Sequence, residues 1–119
     1  MLGVIEYMEF SIKDKNLMLK TVTTHIKDVK GRGPQNIYIK YYDNELHIVI
    51  QGALCALEKY ALKHYRQEAV RSLERFYDMN NRHMETMLDD IFNRQYNFNV
   101  YEMMLDFHTE LFVYKVKVT

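Results

Sequence analysis

The residues of this chain that could do chemistry are five histidines, one cysteine, a few carboxylates and a glycine–proline turn. Their spacing fits none of the common catalytic arrangements. His25, His47, His64, His83 and His108 form no His-x-x-x-His pair, and no Cys-x-x-Cys joins them, so zinc-ligand spacing is missing. His64 and Glu68 stand four residues apart and could share a helix face, but two ligands do not define a site. The histidines are expected at the surface or half-buried, and no metal or cofactor is expected. Cys55 falls at the start of a long helical segment, where the helix macrodipole lowers a thiol's pKa. A nucleophile also needs an oriented base, which the sequence does not supply, so a buried small hydrophobe is the expectation. Gly31-Arg32-Gly33-Pro34 is not a phosphate loop, because a Walker loop needs its lysine and hydroxyl in register with a following helix. Here a strand follows. Glu85, Asp89, Asp90, Asp43 and Glu45 read as solvated helix and turn positions. No catalytic residues are assigned.

The aromatic loading is more informative. There are ten tyrosines, and Tyr38-Ile39-Lys40-Tyr41-Tyr42 puts several beside a lysine on one strand. Such a face could stack bases, the basis of an alternative reading as an RNA- or single-strand-binding module. The chain carries sixteen basic and sixteen acidic residues for a formal net charge of +0, so the basic footprint of a nucleic-acid binder is missing. A protein partner suits the face better, since aromatics anchor interfaces. Tyr38, Lys40, Tyr42 and His47 are the candidate interaction surface, with Val49 and Val113 on the same side. A pocket between helices and sheet, serving a small-molecule sensor, is the other alternative.

These residues need a scaffold, and the chain of 119 residues is long enough for one domain with its own core. Hydrophobic content of 48% and charged content of 27% are those of a soluble globular protein. A single cysteine precludes an intrachain disulfide and suits a reducing compartment. Met1-Leu2-Gly3-Val4-Ile5-Glu6 lacks the features of a signal peptide, and no apolar run approaches the ~18 residues of a membrane span. A cytoplasmic location without membrane insertion is expected.

Ile12, Leu19, Val22, Ile26 and Val29 recur at helical spacing, so a helix is expected from about 12 to 29. Gly31–Pro34 stops it, because glycine takes φ > 0 and proline fixes φ while removing a donor. Strict alternation over Ile37–Tyr42 and Leu46–Gln51, joined by Asp43-Asn44 and ended at Gly52, predicts a β-hairpin. Residues 53–93 hold neither glycine nor proline and read as helical, with Leu57, Leu73, Tyr77, Met84 and Leu88 among the apolar positions. A helix of that length would span ~60 Å, against a domain ~35 Å across. A break is therefore expected near 62–67. Tyr96–Leu105 and Leu111–Val118, separated by a turn at Asp106–Thr109, form a second hairpin. The expected fold is α+β, a two-layer sandwich of helix, hairpin, long helix and hairpin with a four-stranded antiparallel sheet.

With these elements in order, the chain resembles the MpsC family over about residues 12–118. The resemblance rests on the amphipathic helix, Gly31-Arg32-Gly33-Pro34, the hairpin, Gly52-Ala53-Leu54-Cys55-Ala56-Leu57-Glu58, and the long helix around Arg75-Phe76 and Arg82. Gly31, Arg32, Gly33, Pro34, Gly52 and Glu58 match the family's turn and helix start. Cys55 and Ala56 replace its threonine and proline, and Asn93 or Arg94 stands where its glycine precedes the third strand. Asp106 matches its aspartate in the last hairpin. The family is described as part of a sodium-translocating, membrane-potential-generating system. The resemblance implies a non-catalytic accessory protein that contacts membrane cation or inorganic-carbon transport machinery. A homodimer is also expected, because a ~39 Å helix with Phe76, Met79, Met87 and Phe92 beside its main stripe has more apolar face than one small sheet covers.

Overall fold

In the computed structural model, residues 10–31 and 33–119 are described, Tyr42 by its backbone alone. Arg32 and the Met1–Glu6 start lie outside the described residues. The first helix, α1 (Ile12–Lys30), begins where Ser11 Oγ accepts the Asp14 N–H at 3.0 Å. It ends at Gly31, whose φ of 81° lets its N–H close on Lys27 O at 2.8 Å. The buried stripe is Met18, Val22, His25 and Ile26. Ile12 and Val29, expected on it, sit in the first and last turns of the helix and are exposed. His25, expected nearer the surface, takes a core position on that stripe.

β1 (Asn36–Tyr42) and β2 (Glu45–Gln51) pair in register from Asn36↔Gln51 to Tyr42↔Glu45. Asp43 and Asn44, at φ 50° and 58°, supply the two left-handed residues of a tight hairpin. β2 ends at Gly52, at φ 74°, whose N–H reaches Glu110 O at 3.1 Å. A Cβ at Gly52 would stand 2.6 Å from Gln35 Cγ. Gly52→Ala is therefore expected to cost about 1–3 kcal/mol, read as a lower urea midpoint with an unchanged slope.

The helical run divides where expected. α2 (Ala56–His64) starts after Cys55, and α3 (Arg66–Ile91) follows Tyr65, at φ −137° and ψ 53°. The break leaves His64 against Tyr60, with ring centroids 4.4 Å apart and the planes tilted by 42°, rather than on a helix face with Glu68. α3 is followed by a turn through Asn93 and Arg94, both left-handed at φ 52° and 61°, at the position expected to differ from the glycine of the MpsC pattern. β3 (Phe98–Asp106) and β4 (Leu111–Val118) close the sheet. Between them Asp106 Oδ1 accepts the N–H groups of His108 and Thr109 at 3.0 and 3.2 Å. The Thr109 bond chiefly holds the Asp106 carboxyl below its usual range, with the His108 bond adding to it.

All pairs are antiparallel, in the order β1-β2-β4-β3, so β1 and β3 are the edges. Both hairpins thus contribute a central strand, and the helices lie on one face. The core joins Leu46, Ile48 and Ile50 of β2 with Phe112, Tyr114 and Val116 of β4, under Met18, Val22 and Ile26 of α1 and Leu73, Tyr77, Met84 and Leu88 of α3. Glu85 and Asp89, expected to be solvated, instead accept the N–H groups of Val100 at 2.6 Å and Phe98 at 3.0 Å. They cap the exposed rim of β3, which would otherwise offer its donors to another strand.

The molecule is 56 × 22 × 21 Å with a radius of gyration of 15.4 Å, longer than a sphere of this mass. α3 fits along that axis. Its surplus apolar residues are mostly satisfied within the chain: Phe92 is buried, and Phe76 and Met87 pack against the core. Met79 remains 73% exposed.

Candidate functional site

The end of α1, the short α2 and the start of α3 enclose an open groove of about 570 Å³. Its walls are Val29 of α1, Leu57 and Ala61 of α2, Tyr65 at the break, and Ala69, Leu73 and Phe76 of α3. The break at Tyr65 creates it, because α2 turns away from the line of α3 and leaves a cleft between their apolar sides. Leu57, expected on the core side of its helix, is 76% exposed, and Val29 and Tyr65 are exposed beside it. Cys55, expected buried, is half-buried on the groove wall.

Beneath these residues lies one ion pair. Lys30 Nζ donates to Glu58 Oε2 at 2.7 Å, and the Lys30 side chain is only 5% exposed. Its ammonium sits 5.9 and 5.5 Å from the ring centres of Phe76 and Tyr77, and 3.5 Å from the Tyr77 hydroxyl. The other Glu58 oxygen, Oε1, accepts the Cys55 N–H at 2.8 Å. Burial pushes the Glu58 carboxyl up, but the Lys30 ammonium and the Cys55 N–H together hold it below its usual range. Glu58 therefore caps α2 and ties it to α1 at once. Burial, with the Tyr114 and Glu58 charges behind it, pushes the Tyr77 hydroxyl strongly up.

A second polar cluster joins the helices to the sheet. His25 and His83 stack with centroids 4.7 Å apart, and His25 Nε2 lies 3.0 Å from Asn80 Oδ1. Asn80 Nδ2 donates to the Tyr114 hydroxyl at 3.1 Å. Burial, reinforced by His83, lowers the His25 pKa against the opposing effects of Asn80 and Asp28. Burial pushes Tyr114 up to about 12, although the Asn80 bond opposes it. This chain of contacts fixes α1 and α3 to β4; the imidazoles are stacked face to face and do not converge on a common point.

The sequence-predicted residues fall in two separate places. Gly31, Gly33 and Pro34 form the α1–β1 connection, Gly52 ends β2, and Glu58 lies under the groove. Tyr38, Lys40 and His47 lie on the opposite, outer face of the sheet, where Lys40 and His47 are cross-strand neighbours. Lys40 Nζ is 5.6 Å from the Tyr38 ring centre, and His47 Nε2 is 3.0 Å from Glu45 Oε1. Tyr42 follows Lys40 by two residues on β1, opposite Glu45 in the register. Val49 and Val113, expected to be exposed there, are only 6% and 9% accessible, shielded by neighbours on that face. Sequence reasoning missed Lys30, Leu57 and Tyr65. The available signal was a large apolar residue one position after Ala56, out of phase with Leu62 on so short a helix.

The fold and the site define an α+β two-layer sandwich whose helix layer carries an apolar groove over a lysine–glutamate pair. Compared with known proteins, the chain matches no family model, no curated protein and no solved structure. Among the described residues, no helix is long and apolar enough to cross a membrane.

Proposed function

We propose that this chain is a non-catalytic accessory protein that works by protein–protein contact through the groove between α2 and α3, and that it acts as a homodimer through the outer sheet face rather than through α3, whose apolar surplus the core takes up. The observation that carries the contact reading is Leu57, a large apolar side chain held almost fully in water beside Val29 and Tyr65 at the mouth of an apolar cleft. Such exposure has no role in the chain's own packing and suits an apolar side chain from a partner. The resemblance to MpsC proteins makes membrane cation or inorganic-carbon transport machinery the partner class, reached from the cytoplasmic side.

Co-purification in mild detergent tests this reading. The wild-type chain is expected to retain a membrane-transport protein, and Leu57→Asp to lose it while keeping the same circular dichroism spectrum and melting temperature. Recovery of soluble, unrelated proteins alone, or retention by Leu57→Asp, would contradict it. The small-molecule alternative keeps one supporting observation, since the groove volume lies within the range of ligand pockets. A small ligand ordered against Ser72 and Glu68 would favour that reading.

A further inference from the structure

We infer that the outer face of the sheet is a self-complementary surface for a second copy of this chain. The inference rests on the homodimer reading and assigns its interface. Among the described residues, α1 and α3 pack on the opposite face and α2 packs on α3, and the register places a row of Tyr38, Val49, Val113 and Met104 across the four strands of the outer face. The next row is Lys40, His47, Lys115 and Glu102, and beyond it Glu45 pairs with Lys117. Sheets stacked face to face keep their strand directions nearly aligned. A two-fold axis close to that direction lays β1 over the partner's β3 and β2 over the partner's β4. Tyr38 then meets Met104, Lys40 meets Glu102 and Glu45 meets Lys117, each twice by symmetry, while Val49 and Val113, only 6% and 9% accessible, lie beneath the contact. His47 falls opposite Lys115, the one pairing in the row without a complementary contact.

Three contacts within the chain hold this face ready. Lys115 Nζ keeps Glu102 Oε1 at 3.3 Å, Lys117 Nζ lies 5.0 Å from the Tyr101 ring centre, and the Tyr101 hydroxyl donates to Glu45. The alternative axis, across the strands, sets Glu102 against Asp106 and Lys115 against Leu111, which loses the complementarity. The paired stretch, about seven residues along each of four strands, presents a face of roughly 19 × 23 Å, or about 900 Å² over both copies, which is below the standard size of a specific interface and in the range of weak, transient contacts. The dimer is accordingly weak and concentration-dependent.

Sedimentation of the full chain, up to about a hundred micromolar, decides the matter. The wild-type chain is expected to dimerise. Lys40→Glu and Glu102→Lys each set like charges against each other twice, and each alone is expected to dimerise about tenfold or more weakly. An equimolar mixture of the two restores dimers, because each mixed pair regains opposite charges at both contacts. Lys40 and Glu102 stand on opposite edges of one sheet, so rescue on mixing cannot arise within a chain. Dichroism spectra matching wild type exclude misfolding, and Met104→Lys, on the same row, is expected to weaken the dimer alongside them. A wild-type chain that stays monomeric overturns the dimer itself. Charge variants that dimerise unchanged, while Met79→Asp on α3 does not, overturn only the surface assigned. Salt-sensitive oligonucleotide binding by a monomer through Tyr38 would give the face to nucleic acid and overturn it also.

Discussion

Glu58→Ala is expected to lower the unfolding free energy by about 2–4 kcal/mol. The substitution leaves the Lys30 ammonium with its side chain 5% exposed and no carboxylate, and it removes the acceptor of the Cys55 N–H. Glu58 itself keeps a side-chain exposure of 23%, which puts the loss below that of a wholly buried pair. The pH dependence carries a definite sign. The folded carboxyl is held below its ordinary value of 4.5, so the pair's contribution is complete above that pH. It fades as pH falls through the lower, folded value, and the gap between wild type and Glu58→Ala closes in acid. Urea titrations at neutral pH and in acid measure both. Equal stability at neutral pH would mean that Lys30 finds solvent without the carboxylate.

Tyr114→Ala is expected to cost about 3–5 kcal/mol, as for other large aromatic truncations in a packed core. The ring is fully buried on β4, 6.4 Å from the Tyr77 ring centre, and its hydroxyl accepts from Asn80. Tyr114→Phe separates the hydroxyl from the ring and is expected to cost about 1 kcal/mol at neutral pH. The alkaline limb is more diagnostic. Burial raises the folded pKa of Tyr114 from 10.0 to about 12, so its neutral form stabilises the fold fully below pH 10 and that stability is lost as pH rises towards 12. Tyr77 shifts in the same direction, so Tyr114→Phe removes only part of the alkaline slope. Chemical denaturation between neutral pH and pH 12 reads it. A slope unchanged by Tyr114→Phe would show that the phenol ionises as readily folded as unfolded.

The elements were legible because each carries a local signal. The period-two runs marked β1, β2 and β4, Gly31 stopped α1, and the length of the helical run against the size of a small domain required the break that falls at Tyr65. β3, expected from Tyr96 to Leu105, runs Phe98–Asp106, and an irregularity between Val100 and Glu102 interrupts its alternation. Less legible was anything set by how elements meet. Lys30 looks like an ordinary basic residue near a helix C-terminus, and only the return of α2 across α1 buries it against Glu58. Glu85 and Asp89 look solvated until β3 runs beside α3. The strand order β1-β2-β4-β3, on which the pairing of Lys40 with Glu102 across two copies depends, leaves no mark in either hairpin alone. The expected helix surplus failed for a geometric reason. A 56 Å molecule accommodates α3 along its length, and the core side takes up Phe76, Met87 and Phe92.

The groove between α2 and α3 is proposed as the place where another protein binds. Backbone amide resonances of the labelled chain, followed while the partner recovered in detergent is titrated in, test it most directly. The largest shifts are expected at Val29, Leu57, Tyr65 and Phe76, with the outer-face residues Tyr38, Val49 and Met104 unmoved and no response from Leu57→Asp. Shifts confined to the outer sheet face, or a groove that responds identically in Leu57→Asp, would contradict it.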